Sequence, residues 1–191
     1  MSDRLFRVGT PARLLLLERC RSDGAEVQGL TATGSVILEC EFHNCMLRAV
    51  DLSHARLDRC LFRCCSFHDV DFSSSVFNDV RLVGCTVFGG AVCDAVLRDC
   101  LVRGTLLSRT TMHGSSLQNC DFRGLYASSC DLRIAEARAS DLAHVIYDGN
   151  NLWNDAWPRP EPKIYDADSA FRRLEGGDGR GSVASSPLDG T

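Results

Sequence analysis

The hydrophobic positions of this chain recur every five residues, a spacing that fits neither the alternation of a strand nor the turn of an α-helix. In CLFRCCSFHDVDFSSSVFND, residues 60 to 79, phenylalanine falls at 62, 67, 72 and 77. Stepping by five from Val27 to Leu152 gives 26 such centres without an insertion, and every one is apolar. Two residues before each centre, from Ala25 to Asn150, lies a second set made mostly of Cys, Ala, Ser, Val and Thr. Residues 25 to 152 hold 26 charged groups, 11 Arg and 15 Asp or Glu, and none occupies either set. Random placement would put about ten of them there. An unpaired buried charge is costly, so the exclusion predicts that both sets face a dry interior while the other three positions face water.

Glycine marks the corners. Nine of the ten glycines between 24 and 149 share one place in the five-residue register, two positions after that of the centres. Glycine tolerates backbone angles other residues avoid, so each pentapeptide reads as one short side and one tight turn. Four corners close a square coil of 20 residues. Positions 35, 55, 75, 95, 115 and 135 read Ser, Ala, Ser, Ala, Ser, Ala, and positions 20, 40, 60, 80, 100 and 120 read Cys, Cys, Cys, Val, Cys, Cys. Residues 20 apart therefore stack, and the pattern predicts an all-β solenoid of about 6.5 coils, roughly 31 Å long at one strand spacing per coil.

Segments such as CDFRG at 120, CDLRI at 130, VDLSH at 50 and VDFSS at 70 resemble the A-(D/N)-L-x-x motif of the pentapeptide-repeat family, over about two thirds of the chain. The resemblance implies a right-handed quadrilateral parallel β-helix. Cys often replaces the motif's Ala, and the residue before the centre is often neither Asp nor Asn. The expected organisation is an N-terminal cap and irregular first coil over 1–24, repeats over 25–152, a C-terminal cap over 153–175 and a disordered tail over 176–191. Trp153 and Trp157 are expected to cover the last coil. Ala167, Ala170, Phe171 and Leu174 are spaced as one face of a short capping helix. All five prolines lie outside the repeat register, as a ladder that needs its N–H groups requires.

The formal net charge of −4 and a single lysine, Lys163, argue against direct nucleic-acid binding. The apolar run Leu14 to Leu17 is too short for a signal-peptide core or a bilayer span, so a cytoplasmic location and no membrane contact are expected. Eleven cysteines read as reduced, small interior groups, nine of them at numbers divisible by five. Cys64 and Cys93 are the two outward thiols and the candidates for any redox role. His43 and His144 fall on one wall five coils apart, and His54 and His113 on another three coils apart, too widely separated to share an ion. No phosphate loop, Ser/His/Asp constellation or HExxH motif appears, so no catalytic residues, cofactor or metal are expected.

Function is then expected on the outer walls. One carries Asp51, Asp71, Asp94 and Asp131 against only Arg133, an acidic candidate partner-binding wall. Another mixes Arg63, Arg81, Arg103 and Arg123 with Glu41, Asp121 and Asp141. The expectation is a non-enzymatic binding module offering rigid polar walls to a protein partner, as a monomer or an end-to-end homodimer. The family resemblance implies an alternative: a DNA mimic that binds a type II topoisomerase such as DNA gyrase and modulates it or protects it from quinolones.

Overall fold

The computed structural model describes residues 14–142, 145–148 and 151–156. The expected helix around Phe171, the tail, Trp157, His144 and most of the N-terminal cap lie outside these residues. The chain winds into a right-handed quadrilateral β-helix, with strands of two or three residues and no helix among the described residues. All strand pairs are parallel, with residues 20 apart as Cα partners from Leu17 and Ile37 to Ala127 and Tyr147.

The four walls differ in construction. The first is a seven-stranded sheet from Leu16–Glu18 to Glu136–Arg138. The second has five strands, Arg21–Asp23 to Leu101–Arg103, continued by single bridges to Asp121 and Asp141. The third has seven strands from Glu26–Gln28 to Ile146–Tyr147. The fourth is held mainly by isolated bridges that run Thr31, Asp51, Asp71, Ala91, Thr111, Asp131. Tight turns follow on this wall, closed by bonds such as Ser35 N to Ala32 O (3.3 Å) and Ser75 N to Phe72 O (3.2 Å).

Every corner from Arg19 to Ala139 has a positive φ except Ile134. Most of these corners are not glycine, and a left-handed residue with a Cβ costs on the order of 1 kcal/mol. The bonds on either side of each corner over-determine it, as where Asn44 N donates to Arg63 O (2.9 Å) and Met46 N to Ala25 O (2.8 Å).

The interior holds the two expected sets. Ile37, Leu57, Phe62, Phe67, Leu97 and Leu117 are buried among the centres, and Cys40, Cys60, Cys85, Cys100 and Cys120 among the small residues. Each interior thiol finds an acceptor: Cys60 Sγ donates to Asp58 O and to Ile37 O, both at 3.3 Å. That is a bond alanine cannot make, and it accounts for cysteine in the small slot. The Ser/Ala alternation has a similar cause. Ser75 Oγ accepts from Ala55 N (3.0 Å) and donates to Leu52 O (2.9 Å), while Ser115 Oγ accepts from Ala95 N (3.3 Å).

The strands Leu16–Glu18 and Arg21–Asp23 already pair in the 20-residue register, and residues 1–13 of the expected N-terminal cap and irregular first coil lie outside the described residues. Two local departures from the repeat follow nearer the other end. At residue 134 a β-branched side chain occupies the left-handed corner slot, which it adopts poorly. The corner fails, Ile134 turns inward and is buried, and Ala135 is exposed in place of filling the interior. Beyond Tyr147 the register slips by one. Asn151 Oδ1 accepts from Cys130 N (2.7 Å) and its Nδ2 donates to Ala127 O (3.0 Å), so one amide side chain ties the slipped segment to two positions of the coil before it. Leu152 is consequently 55% exposed and pairs with Asp131. Trp153 is the residue above Leu132, where it meets Tyr147 edge to face at 4.7 Å.

Candidate partner-binding walls

The four predicted acidic residues share the turn-built wall, but their carboxylates have different occupations. Asp51 Oδ1 accepts from Ser53 N (2.9 Å) and Ser53 Oγ (2.7 Å), and its Oδ2 accepts from Thr33 Oγ1 (3.0 Å). The Ser53 bonds, side chain first, hold the Asp51 pKa below the usual carboxylate value. Asp71 Oδ1 accepts from Ser73 N at 2.8 Å. Asp131 is gripped by Arg133 through Nε (2.9 Å) and Nη2 (2.6 Å), and this bond lowers its pKa. Asp94 sits on a left-handed corner, exposed, with its carboxylate folded over Gly114. Asp51 and Asp71 are direct ladder neighbours, but Ala91 and Thr111 separate Asp71 from Asp131. Three of the four carboxylates thus cap the turns that carry them.

On the second wall several of the opposite charges pair with one another. Arg103 and Arg123 both reach Asp121 (2.9 and 2.6 Å), and Arg123 lies 3.5 Å from Asp141. The Arg123 bond drives Asp121 far below the ordinary carboxylate range. Glu41 stands between Arg21 (3.7 Å) and His43 (3.6 Å). Such exposed pairs contribute little stability each, but they remove the single-sign field that would attract a charged partner.

The third wall presents a different surface. Leu106, Tyr126 and Ile146 are successive Cα partners pointing outward, with Leu106 36% and Ile146 41% exposed. Phe88, 37% exposed, lies one coil earlier, with the Arg109 guanidinium 5.4 Å from its ring centre and His68 at 6.1 Å. Sequence reasoning followed charge and missed this strip. The signal was present in outward positions 106, 126 and 146, which carry Leu, Tyr and Ile at the 20-residue period.

The outward thiols stand apart. Cys64 is exposed at a corner, and Cys93 is half-buried with its Sγ 3.5 Å from Thr111 Oγ1. Inside the shaft, burial pushes the Cys60 thiol up to about 11, away from the reactive thiolate. Among the described residues no three His, Cys, Asp or Glu side chains are grouped to hold a metal ion, and no helix is long and apolar enough to cross a membrane.

No curated protein matches the chain in sequence. Among solved structures, trypsin-treated QnrB1, a plasmid-mediated fluoroquinolone resistance protein, aligns with 88% of this chain and 100% of its own at 16% identity and a TM-score of 0.37. Rfr23 from the cyanobacterium Cyanothece 51142 aligns with 73% of this chain and 85% of its own at 11% identity and a TM-score of 0.33. HetL, involved in heterocyst differentiation regulation in Nostoc sp. strain PCC 7120, aligns with 78% of this chain and 89% of its own at 15% identity and a TM-score of 0.20. The family described as pentapeptide repeats matches in eight copies over residues 32–63, 51–86 and 94–133. With five-residue corners, an inward centre in each side and coils that stack at 20 residues, the chain belongs to the pentapeptide-repeat family.

Proposed function

We propose that this protein is a non-enzymatic binding module whose partner-facing surface is the third wall, around Phe88, Leu106, Tyr126 and Ile146. The observation that carries the reading is the alignment of exposed apolar side chains on one flat, strand-built face. Scattered surface leucines are ordinary, whereas a contiguous apolar strip marks an interaction surface. The strands behind it are fixed on both sides by the ladder, so little ordering is needed on binding. The fitting partner is a protein surface with aliphatic side chains for the strip and a carboxylate for Arg109 where it stacks on Phe88. The test is to immobilise the chain, measure partner capture from the source cell, and repeat with Leu106→Glu and Ile146→Glu together. At least a tenfold loss is expected, and unchanged capture would remove the third wall as the interface.

A second reading assigns partner binding to the turn-built wall and the partner to a type II topoisomerase such as DNA gyrase. Its support is the family resemblance together with the adjacent Asp51 and Asp71, like charges held one coil apart. Supercoiling by purified gyrase, with and without a quinolone, tests it. The reading requires an effect of this protein that Asp71→Arg weakens and the third-wall variant leaves intact.

A further inference from the structure

The shaft is not filled evenly. Phe62, Phe67, Phe72 and Phe77 make one full turn of aromatic centres, with consecutive ring centroids 5.4, 6.0 and 5.4 Å apart and each pair edge to face. This ring of four closes the shaft across its axis. Directly above, the ladder places Leu82, Val87 and Leu97 over Phe62, Phe67 and Phe77, followed by Val102, Leu107 and Leu117. A phenyl ring reaches toward the axis from its wall, whereas valine ends at its methyl groups. The aliphatic layers therefore line the walls without meeting in the middle.

The result is a cavity of about 60 Å³ bounded by the phenylalanine ring at one end and Phe122 at the other, with Val87, Val92, Leu107 and Met112 on its sides. Polar chemistry is turned away from it. Cys100 Sγ donates to Arg98 O (3.3 Å) and lies 3.7 Å from Phe77 O, and the backbone around it is engaged between coils. A buried water needs two to four polar partners, and apolar cavities without them stay dry. The volume exceeds one water's share of the liquid, roughly 30 Å³, and falls well short of the roughly 150 Å³ engineered cavity that admits benzene.

We propose that this axial cavity is a binding site for one small apolar guest, a noble-gas atom or a diatomic gas. Dispersion supplies the attraction, because a guest restores the contacts that the lining side chains lack across the gap. Entry requires only transient opening between neighbouring coils.

The test uses xenon on the full chain. Crystals pressurised with xenon are expected to show one anomalous peak on the axis between Phe72 and Phe122, and xenon NMR in solution is expected to show a saturable bound population. Val92→Phe should abolish both signals. The milder Val92→Ile, which keeps the fold if the larger ring does not, should lower xenon occupancy several-fold and raise the melting temperature by filling space. Absence of a peak in the native shaft, an unchanged peak in Val92→Ile, or a loss of stability from that added methylene would each overturn the proposal.

Discussion

The turn-built wall and the third wall enclose the same shaft and treat their outward positions in opposite ways. On the turn-built wall the strand ladder is reduced to single bridges, and side chains supply what the backbone lacks: Asp51 and Asp71 hold their own turns, and Ser75 joins one coil to the next. On the third wall seven strands satisfy the backbone without help from the side chains of Phe88, Leu106 or Ile146. That freedom is what permits Phe88, Leu106 and Ile146 to remain in water. A charged wall can thus be a structural wall, and outward side chains that the fold does not use are the ones free to meet a partner.

The sharpest way to break this comparison uses one residue type on both walls. Phe72 is buried at the centre of the turn-built wall, while Phe88 faces outward on the third. Phe72→Ala should cost about 3–5 kcal/mol by the loss of burial and the space left behind. Phe88→Ala should cost less than about 1 kcal/mol, largely its contact with Arg109. Urea denaturation of both variants checks the difference, and similar losses would mean that the third wall is structural as well.

A smaller effect separates an inward from an outward serine. Ser75→Ala removes the acceptor of Ala55 N and the donor to Leu52 O, and should cost about 1–3 kcal/mol. Ser66→Ala, outward on the third wall, should stay within about 0.5 kcal/mol.

The repeat was legible because burial forbids charge: two positions in five lack Arg, Asp and Glu over the whole register, and that exclusion gives the fold without knowledge of any contact. The corners were legible through glycine, although the structure shows Arg59, Asp69 and Cys64 in the same left-handed conformation. What escaped was local. Ile134 occupies a slot where the backbone needs a residue tolerant of positive φ, and its inward turn follows from that mismatch, but a count of apolar centres passes over it. The slip at Leu152 goes with the bonds of the Asn151 amide to Cys130 N and Ala127 O, which periodicity does not register. The acidic wall was legible as charge, whereas the hydrogen bonds that Asp51, Asp71 and Asp131 accept from Ser53, Ser73 and Arg133 are visible only in three dimensions.

Acid titration sharpens the same distinction. The folded Asp51 pKa is lowered, so the unfolded chain binds the proton more readily. The stability from Asp51 is present in full above the unfolded carboxylate value near 4 and is lost as pH falls through the lower folded value. Asp51→Asn should therefore flatten the dependence of stability on pH below about 4. At neutral pH, Asp51→Ala should cost about 1–2 kcal/mol, and Asp94→Ala, on its exposed corner, less than about 0.5. If the two carboxylates contribute equally, the assignment of Asp51 to its turn is wrong.

The smallest expected effect on stability carries the most about function. Leu106→Lys replaces an outward, partly exposed leucine whose neighbours Thr86 and Tyr126 also face water on the same column. A lysine there can lay its methylene stem along the wall and keep its ammonium in solvent, so the melting temperature should stay within a degree or two. Partner capture should nevertheless fall at least tenfold, because the ammonium would have to be desolvated against an apolar surface. The comparison variant is Asp94→Lys, a like change of side chain on the turn-built wall, which should leave capture unchanged. A protein that loses its partner through Asp94→Lys and keeps it through Leu106→Lys would exchange the roles of the two walls.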